Sequence, residues 1–171
     1  MKIFVMMSYV VILASLPAYN SNAEQQKVGN KQFETVKSLV GTWEGYKDDE
    51  KDKPVLLEYQ LSGGGSAVVE KMFQGTPKEM VTVYHQNGDS VMLSHYCMLG
   101  NQPRMRAAKS DNYNQINFNF IDGTNMDAKK DGHMHNLTLT QVSADTLKHE
   151  WTLYNDGKQA QVAAFSFTRT K

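Results

Sequence analysis

The feature that most constrains the fold of this chain is an alternation of apolar and polar residues in short runs after Gly41. A period of two is typical of β-strands that bury one face. Turn-forming sequences such as Asn87-Gly88-Asp89 and Asn155-Asp156-Gly157 separate several of the runs. The ten predicted strands are 41–48, 54–62, 66–73, 79–86, 90–97, 103–109, 115–121, 133–141, 145–154 and 158–169.

The short connections predict how these strands are joined. Most of them are long enough for a hairpin but not for a crossover, so we expect an antiparallel meander. A long meander leaves two open edges unless it closes on itself. The sequence therefore predicts an all-β protein, a ten-stranded antiparallel up-and-down β-barrel, with a two-sheet sandwich as the alternative. Before the first strand, Phe33, Val36, Leu39 and Val40 recur at helical spacing, which predicts a short N-terminal helix within 31–40.

The N-terminus has the pattern of a targeting segment. Met1-Lys2 is basic, an apolar run extends from Ile3 to Pro17, and Ser21-Asn22-Ala23 fits the small residues before a signal-peptidase site. A retained membrane anchor is the alternative. We therefore expect a signal peptide at 1–23, a flexible segment at 24–32 and a barrel domain at 33–171. The mature protein would be periplasmic or secreted, with no membrane span after cleavage.

The charge balance excludes some classes of partner. The chain has 18 Lys and Arg and 18 Asp and Glu residues, so it lacks the basic excess typical of nucleic-acid binding. Cys97 is the only cysteine, which makes an internal disulfide impossible. In an exported protein such a cysteine is either buried or a functional free thiol. The sequence does not predict the oligomeric state.

A sequence signature lies in the first and last strands of the predicted barrel. Gly41-Thr42-Trp43 follows the predicted helix, and Arg169 ends the last strand. This arrangement resembles the calycin superfamily, which includes the lipocalins, and is nearest to its ten-stranded nitrobindin and fatty-acid-binding types. The resemblance implies that Trp43 closes one end of the barrel and that Arg169 packs over its ring.

Two further stretches, Ser94-His95-Tyr96-Cys97 and Gly100 to Met105, resemble a feature of exported bacterial lipocalin-like proteins, for which no function is implied. Nitrobindin-type haem binding would be implied only by a histidine near the end of the chain, where Arg169 stands instead. No cofactor is therefore identified.

The histidines share strand faces with apolar residues. His95 and Cys97 share a face of strand five, His133 and His135 a face of strand eight, and His149 and Trp151 a face of strand nine; on strand four, His85 shares a face with Val81 and Val83. If these faces point inward, the interior is apolar with scattered imidazoles, which is typical of a small-molecule pocket. Alternatively, the histidines bond only to one another or to water. The candidate ligand-binding residues are His95, Cys97, Arg104, His133, His135 and Trp151.

The two arginines of strand six allow two interpretations. Arg104 and Arg106 share a face, and an inward arginine could bind a ligand carboxylate. The alternative is that both are solvated on the outer face. The first hypothesis for function is thus an exported barrel that binds or carries a small, largely apolar molecule.

An enzyme using the His95 and Arg104 region is a competing hypothesis. No catalytic motif supports it: Gly-x-Ser-x-Gly, a phosphate-binding loop and His-Glu-x-x-His are all missing from the sequence. His95 and Cys97 lie side by side on one strand, which is a poor geometry for proton transfer without a third group. No catalytic residue is therefore predicted.

A metal- or haem-binding barrel is the third hypothesis. His95, Cys97, His133 and His135 together resemble a zinc ligand set. In a meander, however, strands five and eight are not neighbours, and their short side chains would not meet. We therefore predict no four-ligand metal site. A weaker site formed by the two histidines of strand eight and completed by water stays open.

Overall fold

The computed structural model describes residues 30–170. The predicted signal peptide, its cleavage site after Ala23 and residues 24–29 of the predicted flexible segment lie outside the described residues. Asn30 caps the first helix, because its side chain accepts hydrogen bonds from the backbone N–H groups of Gln32 and Phe33. The helix therefore begins at Lys31, before residue 33, the predicted start of the barrel domain.

One helix precedes ten strands in the described part of the chain. The helix α1 spans Lys31–Ser38, and a single 3₁₀ turn, Gly63–Gly65, joins the second and third strands. The strands are β1 Gly41–Lys47, β2 Glu50–Ser62, β3 Ala67–Met72, β4 Met80–Asn87, β5 Ser90–Tyr96, β6 Gln102–Ala107, β7 Gln115–Thr124, β8 His133–Ser143, β9 Thr146–Asn155 and β10 Lys158–Arg169.

The strands form a closed antiparallel barrel in which each strand pairs with its neighbours in sequence. The barrel closes between β1 and β10, where Trp43 lies opposite Arg169 and Gly45 lies opposite Phe167. The prediction of a ten-stranded up-and-down barrel is confirmed, and the sandwich alternative is excluded. Three strands are longer than predicted: β2 begins at Glu50, β7 continues to Thr124 and β8 continues to Ser143.

The helix closes one end of the barrel. Phe33, Val36 and Leu39 are buried and join the core that fills the interior. Trp43 is completely buried and donates a hydrogen bond from Nε1 to the carbonyl oxygen of Leu39, 2.9 Å away. The Arg169 guanidinium lies 4.1 Å from the centre of the Trp43 ring. The contact expected from the sequence signature is therefore present at the helix end.

The predicted inward face is correct for β5 and β9 and for Leu137 and Leu139 of β8. His95 is 1% exposed, whereas its neighbour Tyr96 is 45% exposed and points outward. At the start of β8 a register shift places Met134 opposite Leu153, so the face predicted to contain His133 and His135 is interrupted there. His133 and His149 are also buried.

The inward face predicted for β4 is wrong. Thr82 and Tyr84 are completely buried, whereas His85 is only partly buried and lies on the opposite face. Pairing decides this orientation, because Thr82 lies directly opposite Glu70 on β3 and His95 on β5. Residues directly opposite one another in a sheet point to the same side.

Within residues 30–170, no helix is long and apolar enough to span a membrane.

Candidate ligand-binding site

A small apolar hollow lies at the end of the barrel opposite α1. Its volume is about 220 Å³, and the ends of β4, β5, β8 and β9 contribute to its wall. The residues that line it are Phe73, Lys78, Met80, Cys97, Met98, Leu99, Met134 and Leu153. All except Lys78 are apolar or sulfur-containing, and methionine side chains adapt to the shape of what they contact. This wall suits a small apolar molecule.

Other hollows of the described chain are more charged. One of about 370 Å³ also contacts Phe73 but includes Lys47, Glu50 and Lys53 in its wall. Another, of about 500 Å³, lies beside the N-terminus of α1 and includes the salt-bridged pair Asp89 and Lys109. Each of these two hollows has three or more charged side chains in its wall, whereas the apolar hollow has only Lys78.

A layer of buried polar groups lies directly below the apolar hollow. Side chains two positions apart on a strand share a face, about 6–7 Å apart along the barrel wall. Three residues of the hollow therefore each have a buried neighbour one step deeper in the barrel. These pairs are Met80 with Thr82, Cys97 with His95, and Leu153 with Trp151.

The polar layer continues as a row across four strands. Tyr59, Glu70, Thr82 and His95 lie directly opposite one another on β2, β3, β4 and β5. Tyr84 Oη donates a hydrogen bond to Glu70 Oε2 over 2.6 Å, and Thr82 Oγ1 donates to Glu70 Oε1 over 3.4 Å. The His95 Nδ1 atom lies 3.0 Å from Thr82 Oγ1. These contacts link a buried carboxyl group to a buried imidazole through one hydroxyl.

Burial controls the protonation of Glu70. It raises the pKa of this carboxyl group from its ordinary value to about 7, while hydrogen bonds from Tyr84, Tyr59 and Thr82 act in the opposite direction. No lysine or arginine side chain is buried anywhere in residues 30–170. No buried cation is therefore present to hold Glu70 in its ionised form.

The bonding pattern assigns the proton of His95. When Glu70 is ionised and the Thr82 hydroxyl donates to it, Thr82 Oγ1 accepts from the His95 Nδ1–H group. The Nε2 atom of His95 then carries a free lone pair. Burial lowers the pKa of His95 to about 4, which keeps the ring neutral near neutral pH.

His149 lies across the interior from this row. Its Nε2 atom is 2.8 Å from the Tyr59 hydroxyl oxygen, and burial lowers its pKa to about 3. Four buried side-chain atoms have no hydrogen-bond partner among the described residues: His95 Nε2, His149 Nδ1, Trp151 Nε1 and, in the connection between β5 and β6, Asn101 Oδ1. The rings of His95 and Trp151 pack against each other with their centres 4.5 Å apart.

His133 and His135 form a separate aromatic cluster at the same end of the barrel. His133 donates from Nδ1 to the carbonyl oxygen of Asp131, and its Nε2 atom lies 2.9 Å from His135 Nδ1. The His135 ring stacks between Tyr154, at 3.8 Å, and Phe120, at 4.8 Å. Partial burial and the neighbouring His133 lower the pKa of His135. The two rings thus hydrogen-bond to each other, and the described residues contain no group of three or more His, Cys, Asp or Glu side chains placed to hold a metal.

The predicted site residues are only partly brought together. Cys97 lines the hollow, and His95 and Trp151 lie below it. Arg104 lies on the outer face of β6, half-exposed, where Nε and Nη2 each donate to Asp122 over 2.6 Å. An inward role for Arg104 toward a ligand carboxylate is therefore wrong. His95 and Arg104 are on opposite sides of the barrel wall, so the site expected for an enzyme is not assembled.

Sequence reasoning missed several interior polar residues: Tyr59, Glu70, Thr82 and Tyr84. The signal for Glu70 was present, since Val68 and Met72 flank it at a spacing of two and are buried. The alternation alone would have placed this carboxyl group inside. For β4 both faces carry suitable residues, so only the pairing with β3 and β5 identifies Thr82 and Tyr84.

No known protein family matches the sequence, and no curated protein matches it. Similar folds occur among solved structures. One is a protein of unknown function from the DUF3598 family of Nostoc punctiforme, with a TM-score of 0.51 and 14% identity over 79% of this chain. The present chain covers only 49% of that protein, about half its length.

A second similar structure is Rv2717c from M. tuberculosis, with a TM-score of 0.56 and 14% identity. The match covers 82% of this chain and 98% of Rv2717c. At this level of identity, both similarities concern the fold and carry no information on ligand or activity.

Proposed function

We propose that this protein binds a small, largely apolar molecule at the end of the barrel opposite α1. The observation that carries the proposal is the apolar hollow of about 220 Å³ set directly above buried polar groups. Apolar walls with a few polar atoms at one end are typical of small-molecule sites. Here the wall would hold the body of the ligand, and the polar groups would orient it.

The proposal includes export and a calycin-like ancestry. The signal-peptide pattern at 1–23 supports a periplasmic or secreted protein. The packing of Arg169 on Trp43 at the helix end supports a calycin-like barrel. A binding protein of this kind would take up its ligand outside the cytoplasm, where Cys97 is exposed to oxidants unless the hollow is occupied.

The test is titration with N-phenyl-1-naphthylamine, a neutral apolar dye whose fluorescence rises in apolar surroundings. We expect saturable binding, and a loss of affinity of roughly tenfold or more in Leu153→Trp, because the larger side chain would fill the hollow. The matched control is Leu56→Trp. Leu56 is 63% exposed on the outer wall of β2, so this variant should bind as the wild type does.

A second readout uses the single cysteine. Cys97 lines the hollow and is partly buried, and burial raises the pKa of its thiol. Saturating dye should slow its alkylation by iodoacetamide. Equal affinity in Leu153→Trp, together with unchanged alkylation of Cys97, would place the dye elsewhere and refute the proposed site.

A further inference from the structure

We propose that the polar group of the bound molecule is a neutral hydroxyl, which donates to His95 Nε2 and accepts from Trp151 Nε1. This inference rests on the function proposed above and specifies the chemical class of its ligand. It requires an apolar body in the hollow and a hydroxyl group at the inner end.

His95 Nε2 and Trp151 Nε1 are buried and have no hydrogen-bond partner among the described residues. Each of the two residues is only 1% exposed. Buried polar atoms in folded proteins are nearly always hydrogen-bonded, because leaving one unpaired forfeits its bond to water. Two such atoms on one pair of packed rings point to a group that satisfies both.

The rings of His95 and Trp151 lie directly below the apolar hollow. Cys97 and Leu153 line the hollow, and each is followed two positions deeper on the same face by one of the two rings. The rings themselves are in contact, with centres 4.5 Å apart. The side chains one step inward from the hollow are therefore His95 and Trp151, together with Thr82 below Met80.

His95 Nε2 and Trp151 Nε1 differ in their hydrogen-bonding roles. With Thr82 donating to ionised Glu70, the Nδ1 proton of His95 is directed at Thr82, so Nε2 accepts a hydrogen bond, whereas an indole N–H can only donate one. A hydroxyl group both donates and accepts. An ether lacks the donor that His95 Nε2 needs, and an ammonium group lacks the acceptor that the Trp151 N–H needs.

The surroundings of His95 and Trp151 favour a ligand group without charge. No Lys or Arg side chain is buried in the described residues, and Glu70 lies one strand beyond Thr82 in the same row. An anionic head group would lose its hydration without gaining a cation, and it would lie near a carboxyl group. The site thus disfavours a carboxylate such as that of an ionised fatty acid.

The experiment compares four probes of similar size by isothermal titration calorimetry near neutral pH. They are 1-octanol, heptyl methyl ether, octanoate and octylammonium. We expect 1-octanol to bind roughly tenfold more tightly than octanoate or octylammonium, and several-fold more tightly than the ether, which has the same number of heavy atoms.

Two variants test whether His95 and Trp151 cause the preference for 1-octanol. His95→Phe keeps an aromatic ring against Trp151 but removes the acceptor, so the preference for 1-octanol over the ether should disappear while the affinity for the ether stays the same. Trp151→Phe removes the donor and should weaken binding of both 1-octanol and the ether. The matched control is His85→Phe, because His85 lies on the outer face of β4 and should leave every affinity unchanged.

The experiment distinguishes failure of the hydroxyl assignment from failure of the proposed binding site. Equal binding of all four probes would overturn the hydroxyl assignment and leave the apolar site in place. Tightest binding of octanoate, or a preference for 1-octanol that persists in both His95→Phe and Trp151→Phe, would also overturn it. Binding of none of the probes, including the ether, would overturn the proposed function together with this inference.

Discussion

At the scale of single residues, Arg169 connects three parts of the chain at the closed end of the barrel. Its guanidinium lies over Trp43 and donates to the carbonyl oxygens of Ser38, Val40 and Ala144, at 2.9, 2.8 and 3.1 Å. One side chain thus joins the end of α1, the start of β1 and the β8–β9 turn. Such hydrogen bonds from a charged donor are stronger than neutral ones.

Replacing Arg169 with alanine should lower the free energy of unfolding by about 2–3 kcal/mol, through the loss of the cation–π contact and of the three carbonyl contacts. Arg169→Lys should recover only part of this loss, because an ammonium group cannot match the planar fork. Urea denaturation measures both effects. Arg106→Ala on the exposed outer face of β6 is the control and should be near neutral. A midpoint for Arg169→Ala equal to that of the wild type would contradict the role of this contact.

Glu70 makes the stability of the barrel depend on pH. Its pKa is raised in the folded protein from 4.5 to about 7, chiefly by burial, so the folded state holds its proton over a range in which the unfolded state releases it. The contribution of this group to stability is therefore fully present below about pH 4.5 and is lost as the pH rises through about 7.

Glu70→Gln removes this titration while keeping an oxygen that can accept from Tyr84. Relative to the variant, the wild type should lose up to about 3 kcal/mol of stability between the two pKa values, as 1.4 kcal/mol per pKa unit implies. Chemical denaturation at a series of pH values measures the difference. Glu150→Gln, at an exposed position of β9, should show no such trend. Parallel curves for wild type and Glu70→Gln would show that the buried carboxyl group does not titrate as described.

At the scale of the elements, the closure of β1 onto β10 depends on a glycine. A Cβ atom at Gly45 would overlap the carbonyl oxygen of Ser166 and would lie 2.7 Å from Phe167 Cδ1. Gly45 has no positive φ angle, so the constraint is one of space. The absence of a side chain lets the first and last strands pair with Phe167 packed against the backbone.

Gly45→Ala should therefore destabilise the barrel by about 3 kcal/mol or more, since overpacking forces backbone shifts in a closed sheet. Gly132→Ala is the matched control. Its Cβ atom would make an ordinary 3.5 Å contact with Asn155 Oδ1, and its φ angle also lies outside the positive range. Thermal unfolding compares the two variants. Similar melting temperatures for both would mean that β1 and β10 separate more easily than their packing indicates.

At the scale of the whole molecule, the chain is expected to function without residues 1–23. The mass of the protein recovered after export should correspond to a chain beginning at Glu24, because Ser21-Asn22-Ala23 fits the peptidase pattern. Intact-mass spectrometry of the exported protein measures this. Replacing Ala23 with a bulky residue such as Trp should block cleavage at this point. Recovery of a chain that still carries residues 1–23 would contradict the proposed cleavage and export.

The two ends of the barrel differ in how they are filled. At the closed end, α1, Trp43 and Arg169 fill the space between the strands. At the opposite end, the strand connections leave an apolar hollow above a layer of buried polar atoms. The difference gives the molecule one end that stabilises the fold and one end suited to binding.

The sequence by itself determined the strand order, the closure of the barrel and most inward faces, because alternation and turn chemistry are local and antiparallel neighbours need only short turns. The resemblance to the calycins also implied the contact between Trp43 and Arg169. The sequence could not orient β4, where both faces carry residues that can be buried, and it did not exclude an inward Arg104.

Only the tertiary structure decided which buried groups meet. The row from Tyr59 through Glu70 and Thr82 to His95 depends on the register of four strands, and the unpaired atoms of His95 and Trp151 depend on packing across the barrel. A shift of one residue in any of these pairings would reverse the face of a whole strand. The local alternation of apolar and polar residues therefore predicted the strands of the barrel. The pairing register between distant strands determined which polar side chains meet inside it.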